Sequence, residues 1–283
     1  MSKSAKIIRS VKDLRKQIAK WRASEKSIAL VPTMGALHDG HISLVKLAKK
    51  KADRVVVSIF VNPSQFAPTE DLSRYPRDET GDLNRLNAVE TDLVWAPDVS
   101  EMYPDGFSTR VTPGTTSQNL EGEFRPHHFG GVATVCCKLF SQVTPDMAIF
   151  GEKDYQQLVV LRQMVCDLNL PLTLVGAPTR REKDGLALSS RNTYLSVQER
   201  DIAPSLYAAI SDVADKVSEG ADISASIAAA KQKLISNGFT KVDYLEVCDA
   251  DTLVPIVTPT DRPLRVLVAA WLGKTRLIDN VAV

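Results

Sequence analysis

Two of the four histidines in this 283-residue chain, His38 and His41, lie in one short polar run. The run extends from Met34 to His41, contains two glycines, and follows the apolar stretch 28–31. An amphipathic stretch begins at Leu44, so the pattern predicts a strand, a glycine-containing turn and a helix. A helix N-terminus carries unpaired N–H groups and a partial positive charge, which favour anions. We therefore expect both imidazoles to donate hydrogen bonds to a phosphate group.

Further cationic and polar groups could complete such a site. Lys153 follows the apolar run 147–150, and Ser189, Ser190 and Arg191 lie in the polar loop 183–192. Lysine supplies a point charge, arginine a planar set of donors, and serine a neutral donor. Such groups, converging on a triphosphate, would neutralise the charge that develops during attack at phosphorus. Each feature alone is more often a surface lysine or a helix-capping loop, and only their combination with the histidines favours a nucleotide site.

Two glutamines, Gln65 and Gln157, could hold a hydroxyl or carboxylate group of a small polar substrate, although each alone is more often a surface residue. Other phosphate-binding and hydrolytic templates are absent. The chain has no G-x-G-x-x-G, H-E-x-x-H or G-x-S-x-G pattern. Gly273–Lys274–Thr275 resembles the end of a Walker A loop, but Val268 occupies the position of the required earlier glycine.

The elements that must position these residues alternate between strand-like and helix-like segments up to about residue 180. Such alternation predicts an α/β fold with a Rossmann-like, doubly wound parallel sheet. Three polar clusters follow predicted strands, where ligands bind in sheets of this kind: 33–41, 62–66 and 151–154. The predicted strands are 27–31, 54–61, 92–95, 147–150 and 172–175, and the predicted helices are 41–52, 79–90, 130–142 and about 158–168.

The pattern changes after residue 180, where two predicted helices, 196–217 and 223–235, precede two predicted strands, 242–247 and 264–271. We therefore expect a nucleotide-binding domain over 1–180 and a smaller α+β domain over 181–283, with the Ser-Ser-Arg loop at the junction.

The overall composition is that of an ordinary globular protein, with 44% apolar and 24% charged residues. The net charge of +1 predicts neither a nucleic-acid nor a membrane partner. No apolar run approaches the ~20 residues that span a bilayer, and no signal peptide is recognisable, so the expected compartment is the cytoplasm. The four cysteines are expected to be reduced and buried in the core: Cys136, Cys137, Cys166 and Cys248.

Several motifs together resemble one family along nearly the whole chain. The run Pro32 to His41 resembles the signature of the pantothenate synthetases, or pantoate–β-alanine ligases. Further segments match that family in the same order: Ser58 to Phe66, Tyr75 to Arg77, Phe150 to Gln157, Leu186 to Asn192, Ala269 to Gly273, and Arg276 to Asn280. The family belongs to the HIGH-type nucleotidyltransferases, whose H-I-G-H and K-M-S-K-S elements look like the H-D-G-H and S-S-R elements of this chain.

The resemblance implies a reaction in two steps. The carboxylate of (R)-pantoate attacks the α-phosphate of ATP, giving pantoyl adenylate and pyrophosphate. β-Alanine then attacks the acyl carbon, giving pantothenate and AMP. Magnesium is implied with the nucleotide, although its ligands are not, and the family suggests a homodimer.

The resemblance also implies roles for single residues. His41 would be a proton donor and His38 would contact the phosphates, while Lys153 and Arg191 would stabilise the leaving pyrophosphate. Arg180 would contact adenine through its backbone. The complete implied ATP-binding set is Met34, Gly35, Ala36, Leu37, His38, Asp39, Gly40, His41, Gly151, Glu152, Lys153, Asp154, Arg180, Leu188, Ser189, Ser190 and Arg191.

For the other two substrates, the resemblance implies that Gln65 contacts pantoate and β-alanine, and that Gln157 contacts pantoate. One departure from the family pattern is His127, which stands where Arg-Pro-Gly-His-Phe usually has glycine. A histidine has less access to positive φ than a glycine, so we expect a local effect on the loop at the mouth of the site. The alternatives to a ligase are an adenylyltransferase acting on a phosphorylated acceptor, and a nucleotide-binding module without catalysis.

Overall fold

The computed structural model describes residues 5–68, 70–258 and 260–283. Within these residues, one sheet has six parallel strands and another has three antiparallel strands. The strands are β1 (Lys6–Ile8), β2 (Ile28–Thr33), β3 (Arg54–Ile59), β4 (Leu93–Trp95), β5 (Met147–Gly151), β6 (Thr173–Ala177), β7 (Lys241–Asp249), β8 (Leu264–Leu272) and β9 (Thr275–Ala282). The helices are α1 (Val11–Arg22), α2 (Asp39–Lys51), α3 (Glu79–Ala88), α4 (Val99–Met102), α5 (Glu121–Phe124), α6 (His128–Val143), α7 (Tyr155–Asp167), α8 (Val197–Ile202), α9 (Ser205–Ser218) and α10 (Ile223–Ser236).

The large sheet has the strand order β1-β4-β3-β2-β5-β6. From β2 the chain proceeds to β3 and β4 on one side, and then crosses to β5 and β6 on the other side of β2. Helices cover both faces: Leu44 of α2 and Leu86 of α3 pack on one, and Leu14 of α1, Val132 of α6 and Leu158 of α7 pack on the other. The predicted doubly wound α/β fold is confirmed, and its strand order reverses beside β2, where such sheets bind ligands.

Pro32 lies inside β2, although the sequence predicted that the strand would end before it. The carbonyl of Ile28 accepts from Asp146 on the β5 side, and that of Thr33 accepts from Phe60 on the β3 side. Backbone groups alternate between the two sides of a strand, so the missing N–H of Pro32 faces β5. Pairing between β2 and β5 already stops at Leu30. The proline therefore breaks no hydrogen bond, and the two strands separate where the ligand cleft begins.

The small sheet, β7-β8-β9, packs against α9 and α10. Its core includes Leu206, Ile210, Leu234 and Val266, all at most 2% exposed. The division into two domains at residue 180 remains a proposal. It is supported by the apolar core of the small sheet, which is separate from that of the large sheet. A further buried cluster joins the two parts, because Tyr155 and Val159 of α7 pack with residues of β7 and β8, including Tyr244, Cys248 and Leu267.

Some sequence predictions need correction. The single helix predicted over 196–217 is two helices, and Pro204 lies between them as the residue preceding α9. Five elements lie outside the segments predicted from the sequence: β1, α1, α4, α5 and β9. All four cysteines are free, but Cys137 is only partly buried, and Cys166 is exposed because it lies on the solvent side of α7. Among the described residues, the structure contains no helix that is both long and apolar enough to cross a bilayer.

Candidate functional site

A cleft of about 1340 Å³ lies between the two sheets, at the carboxyl ends of β2, β3, β5 and β6. This volume exceeds the 300–1,000 Å³ typical of a site for one small ligand, so the cleft has room for a nucleotide and a second molecule. Most of the candidate site residues predicted from the sequence line this cleft. Those on its wall are Met34, His38, Gly40, His41, Gln65, Gly151, Lys153, Asp154, Gln157, Arg180, Leu188, Ser189, Ser190 and Arg191.

The turn before α2 is held by a buried carboxylate on α3. Gly35 and Ala36 have φ values of 80° and 49°, a left-handed conformation that is costly for alanine. Asp82, which is 3% exposed, accepts hydrogen bonds from the backbone N–H groups of Ala36 at 3.0 Å and Leu37 at 2.6 Å. These two bonds satisfy amides that the turn would otherwise leave unpaired, and they fix the start of α2.

His38 and His41 cap the N-terminus of α2 for each other. His38 precedes the helix, and its Nδ1 accepts from the N–H of Gly40 at 3.2 Å. The Nδ1 of His41 accepts from the backbone N–H of His38 at 3.3 Å. This pattern is a capping box built from two histidines instead of Ser/Thr and Glu. Their ring centroids are 4.1 Å apart, so the two rings form one unit on the cleft wall.

Both rings are neutral near pH 7. Burial lowers the pKa of His38 to about 4, with a further contribution from the positive charge of Lys153. Burial, with a smaller contribution from the neighbouring His38, lowers the pKa of His41 to about 3. A neutral imidazole carries one proton, and in each ring Nδ1 already accepts a hydrogen bond, so the proton is on Nε2. Each histidine therefore offers one neutral Nε2–H donor to a ligand.

Lys153 lies in a short 3₁₀ turn between β5 and α7. Its side chain is only 19% exposed, and its Nζ is 3.7 Å from Oδ1 of Asp154. The backbone of this turn is bound from the small sheet, because the side-chain amide of Asn280 donates to the carbonyls of Glu152 and Lys153. The turn thus presents an ammonium group to the cleft from a backbone fixed by both parts of the protein.

The loop after Leu188 closes the cleft from the opposite side. Ser190 donates from Oγ to the carbonyl of Ala36 at 3.1 Å, which joins this loop to the histidine turn. The guanidinium of Arg191 donates from Nε and Nη2 to the two carboxylate oxygens of Asp71, at 3.0 Å each. Tyr194 donates from its hydroxyl group to the carbonyl of Arg74. The Ser-Ser-Arg loop is therefore bound to two connecting segments of the large sheet, one after β2 and one after β3.

Gln65 is 9% exposed and is held in a turn after β3. Its Oε1 accepts from Asn62 Nδ2 at 3.0 Å, and its Nε2 is 3.2 Å from Sδ of Met34. The turn lies directly against α6 at Gly131, where an added Cβ would approach the carbonyl oxygen of Ser64 to 2.3 Å. A side chain at position 131 would displace Gln65, which explains the need for glycine in the first turns of this helix.

One wall of the cleft is apolar. Phe60 directly follows β3, Phe150 lies in β5, and Val132, Val135 and Leu139 lie on one face of α6. Gln157, on α7, also lines the cleft, and no hydrogen bond occupies its amide among the described residues. A ligand in this region would therefore contact hydrocarbon on one side and amide groups on the other.

Five residues of the sequence-derived set are not on the cleft wall. The turn that contains Gly35, Ala36 and Leu37 faces Asp82, and Leu37 packs in the core beneath the sheet. Asp39 is exposed and pairs with Arg85, and Glu152 pairs with Arg265. Arg180 does line the cleft, but its carbonyl already accepts from Leu188 N–H.

His127 fits its position without strain. It is exposed and precedes α6 with a φ of −91°, which any residue adopts. The expected effect of losing positive φ is therefore not found. The next residue, His128, is the one that contacts the site, with Nδ1 at 3.2 Å from the carbonyl of Gln65. Burial lowers the pKa of His128 to about 4.

Four residues hold the site together through contacts that were not predicted from the sequence. Asp71 binds Arg191, Asp82 binds the turn before α2, Asn62 binds Gln65, and Asn280 binds the Lys153 turn. Asn62 binds Gln65, three positions away, but the partners of Asp71, Asp82 and Asn280 are distant in sequence, up to 128 positions for Asn280. Of these three, only Asp82 had a local signal, because it lies one helical turn before the buried Leu86, on a face where a carboxylate needs a partner.

Comparison with known proteins decides the family. The model of the pantoate-beta-alanine ligase family matches residues 6–282. The chain belongs to the pantoate–β-alanine ligase family. A pantothenate synthetase from Bradyrhizobium sp. (strain BTAi1 / ATCC BAA-1182) is 54% identical over 284 residues, covering 100% of both chains. A pantothenate synthetase from Paramagnetospirillum magneticum is 53% identical, covering 100% of this chain and 99% of the relative.

Solved structures of pantoate–β-alanine ligases share the whole fold. The crystal structure of pantothenate synthetase from Thermus thermophilus superposes with a TM-score of 0.92 at 44% identity, covering 98% of each chain. The ligase from Francisella tularensis, in complex with beta-gamma ATP and beta-alanine, has a TM-score of 0.80 at 35% identity, covering 98% of this chain and 97% of that one. The similarity therefore includes both sheets and the cleft between them.

Proposed function

We infer that this chain is a pantoate–β-alanine ligase, which condenses (R)-pantoate with β-alanine at the expense of ATP, through pantoyl adenylate. One observation carries this proposal: the two neutral histidines, Lys153 and the Arg191 loop all open into a single cleft with an apolar wall. This is the donor set that adenylation needs, joined to a surface for a branched aliphatic acid. The relatives named above support the choice of substrates.

In the first step, a carboxylate oxygen of pantoate attacks the α-phosphorus of ATP, and the bond to the bridging oxygen of pyrophosphate breaks. We propose that the Nε2–H groups of His38 and His41 bind the phosphate oxygens on which charge develops. Both partners are anionic, so preorganised donors of this kind are the main source of rate enhancement. A ring with a pKa of about 3 is not an acid at neutral pH, so His41 acts as a hydrogen-bond donor.

Lys153 and Arg191 are proposed to bind the β- and γ-phosphates and to stabilise the leaving pyrophosphate. Both are cationic residues on the cleft wall, and Ser189 adds a neutral hydroxyl donor beside them, whereas the hydroxyl group of Ser190 already donates to the carbonyl of Ala36 and could contact phosphate only by giving up that bond. Arg191 must exchange its pair with Asp71 for a phosphate when it does so. Positive groups on the leaving group lower the barrier because negative charge moves onto pyrophosphate in the transition state.

In the second step, the amine of β-alanine attacks the acyl carbon of pantoyl adenylate, the bond to the AMP oxygen breaks, and the amine loses a proton. We propose that Gln65 contacts both acids and that Gln157 contacts pantoate. The two methyl groups of pantoate would pack on the apolar wall formed by Phe60, Val132 and Phe150. Burying these methyl groups is worth about 0.8 kcal/mol for each carbon.

Magnesium is proposed to enter with the nucleotide. The described residues contain no group of three potential metal-ligating side chains, so most ligands would have to come from phosphate oxygens and water. This arrangement is usual for magnesium at nucleotide sites, where one or two carboxylates suffice. Asp154 fits that role, because its side chain lines the cleft, is 49% exposed and makes no hydrogen bond among the described residues. When bound, the ion would neutralise phosphate charge.

Two further properties are proposals. A homodimer is expected, and exposed apolar side chains on the large domain, including Val99 at 51% and Phe107 at 37%, offer surface for it. Sedimentation equilibrium would show a mass of twice 31.0 kDa.

The cytoplasm, where ATP is available, is the proposed compartment, and cell fractionation would check it.

The experiment that tests the ligase proposal is ATP–pyrophosphate exchange with a panel of carboxylic acids. We expect exchange with pantoate and not with acids that lack its methyl groups. AMP should then appear only after β-alanine is added. The alternative adenylyltransferase has no need of an amine and is not favoured by the relatives. Pantoate-dependent exchange that never leads to AMP would contradict the ligase proposal.

A further inference from the structure

Asn280, in β9 of the small sheet, binds the backbone of the Lys153 turn with both N–H groups of its side-chain amide. Its Nδ2 donates to the carbonyl of Glu152 at 2.9 Å and to that of Lys153 at 2.8 Å. Its Oδ1 accepts from Arg265 Nε at 2.7 Å. The residue is 3% exposed. All three polar groups of the amide are therefore satisfied in the protein, and two of them are used on consecutive peptides of the turn.

The orientation of Asn280 is itself fixed from two sides. Arg265, whose side chain is 12% exposed, lies over the ring of Tyr155 at 3.8 Å and also approaches Glu152. Arg181 donates to both carboxylate oxygens of Asp279 and to the backbone carbonyl of Asn280. These contacts define which side of the amide faces Arg265, so the two donors must face the turn.

The turn needs such an anchor because the ammonium group of Lys153 has few polar contacts of its own among the described residues. It is 3.7 Å from Asp154, and the stem that carries it is largely buried, with only 19% of the side chain exposed, so the stem follows the backbone. The rate of a reaction that depends on positioned charges falls about 100-fold for a displacement near 1 Å. The position of the Lys153 backbone therefore controls where the charge lies.

We propose that Asn280 is a positioning residue for adenylation, and that it acts by fixing the carbonyls of Glu152 and Lys153 from the small domain. The inference rests on the proposed role of Lys153 at the leaving pyrophosphate. It gives a reason for the tail segment Arg276 to Asn280, which contributes no group to the phosphate site in the proposed mechanism.

The test uses Asn280→Asp, which has nearly the same shape. Aspartate keeps the acceptor for Arg265 but loses both donors and places a carboxylate against two carbonyls. We expect pantoate-dependent ATP–pyrophosphate exchange to slow at least about 10-fold in kcat, with the KM for pantoate changed less than about 2-fold. Transfer from preformed pantoyl adenylate to β-alanine should keep the wild-type rate, because pyrophosphate has already left.

Two additional measurements make the result decisive. Hydrogen exchange at the amides of residues 152–156 should accelerate in Asn280→Asp and in Asn280→Ala, the second variant serving if the first does not fold. Leu234→Ala is the control: it removes a fully buried side chain of α10 far from the turn, so it should lower Tm while kcat stays unchanged.

The outcomes separate the two proposals. Equal losses in both half-reactions, or unchanged hydrogen exchange at the turn, would overturn the role of Asn280. Absence of pantoate-dependent exchange in the wild-type protein would instead overturn the proposed function, while the hydrogen-exchange result would still report on the anchor.

Discussion

Arg191 and Asp71 form a two-point ion pair across the mouth of the cleft, with both N···O distances at 3.0 Å. The pair holds the guanidinium against a carboxylate, although a phosphate is the ligand proposed for it. In the proposed mechanism the charge of Asp71 competes with ATP for Arg191, and the same charge keeps Arg191 at the cleft. The pair is only partly buried, with 31% of the arginine and 22% of the aspartate side chain exposed, so it is weak enough to exchange.

Replacing Asp71 by asparagine should tighten ATP binding. A partly exposed pair is worth about 0.2–1 kcal/mol, so releasing Arg191 should lower the Kd for ATP by roughly 1.4- to 5-fold. Calorimetric titration of ATP in the absence of pantoate measures this change. Asp184→Asn is the matched control, because it removes the pair with Arg200, which does not line the cleft. Weaker ATP binding in Asp71→Asn would show that the aspartate holds Arg191 in its working position.

The two nitrogens of His41 can be tested separately. Asparagine places a polar atom near Nδ1, and glutamine places one near Nε2. His41→Asn should keep the cap on His38 N–H but slow adenylation by ~10²-fold, because the donor to phosphate is lost. His41→Gln should retain more activity and lose about 1 kcal/mol of stability through the missing cap. Pyrophosphate exchange and thermal unfolding measure the two effects, and the opposite ranking would contradict the proposed division of roles.

The two half-reactions should differ in their response to pH. The lowered pKa values of His38, His41 and His128, between about 3 and 4, leave all three rings neutral from pH 6 to pH 8.5. Adenylation should therefore be nearly constant over this range. Transfer to β-alanine needs the free amine, whose pKa of about 10 resembles that of lysine, so kcat/KM for β-alanine should rise about tenfold for each pH unit. A bell-shaped profile with a pKa near 6.5 would indicate histidine base catalysis instead.

Stability should fall on mild acidification. The same three histidines have ordinary pKa values near 6.5 when unfolded and lowered values when folded. Between pH 6.5 and about 4 the unfolded chain binds more protons than the folded one, so the free energy of unfolding decreases as pH falls. Tm measured at pH 7, 6 and 5 should drop steadily. His128→Gln should flatten this dependence, whereas a Tm independent of pH over this range would exclude the burial of neutral rings.

The sequence was sufficient to predict the strands and helices whose apolar residues form a regular pattern. The runs that became β2, β3 and β5 are continuous and rich in apolar residues, and the polar residues after each of them meet in one cleft. The break between α8 and α9 also had a local signal, because Pro204 cannot continue a helix but readily precedes one; the apolar periodicity on both sides of it concealed the break.

The missed strand β9 shows why other parts could not be predicted. It contains Asp279 and Asn280, both 3% exposed, where an ordinary strand of this sheet would bury apolar side chains. They are buried because Arg181 and the carbonyls of the Lys153 turn satisfy them, and these partners lie about 100 or more positions earlier. No local pattern encodes such pairs, so neither the contacts between the two sheets nor the anchors of the site could be predicted from the sequence.

The hydrogen bond from Asn280 to Glu152 can form only late in biosynthesis, because Asn280 is synthesised 128 residues after Glu152. A ribosome adds about 5–20 residues per second, so on the order of ten seconds separate the synthesis of the turn from that of its anchor. During this interval the nascent large sheet has its histidine turn but an unanchored lysine turn, and the face that receives Tyr244 is open to solvent. We expect chaperones to bind the emerging polypeptide at this face.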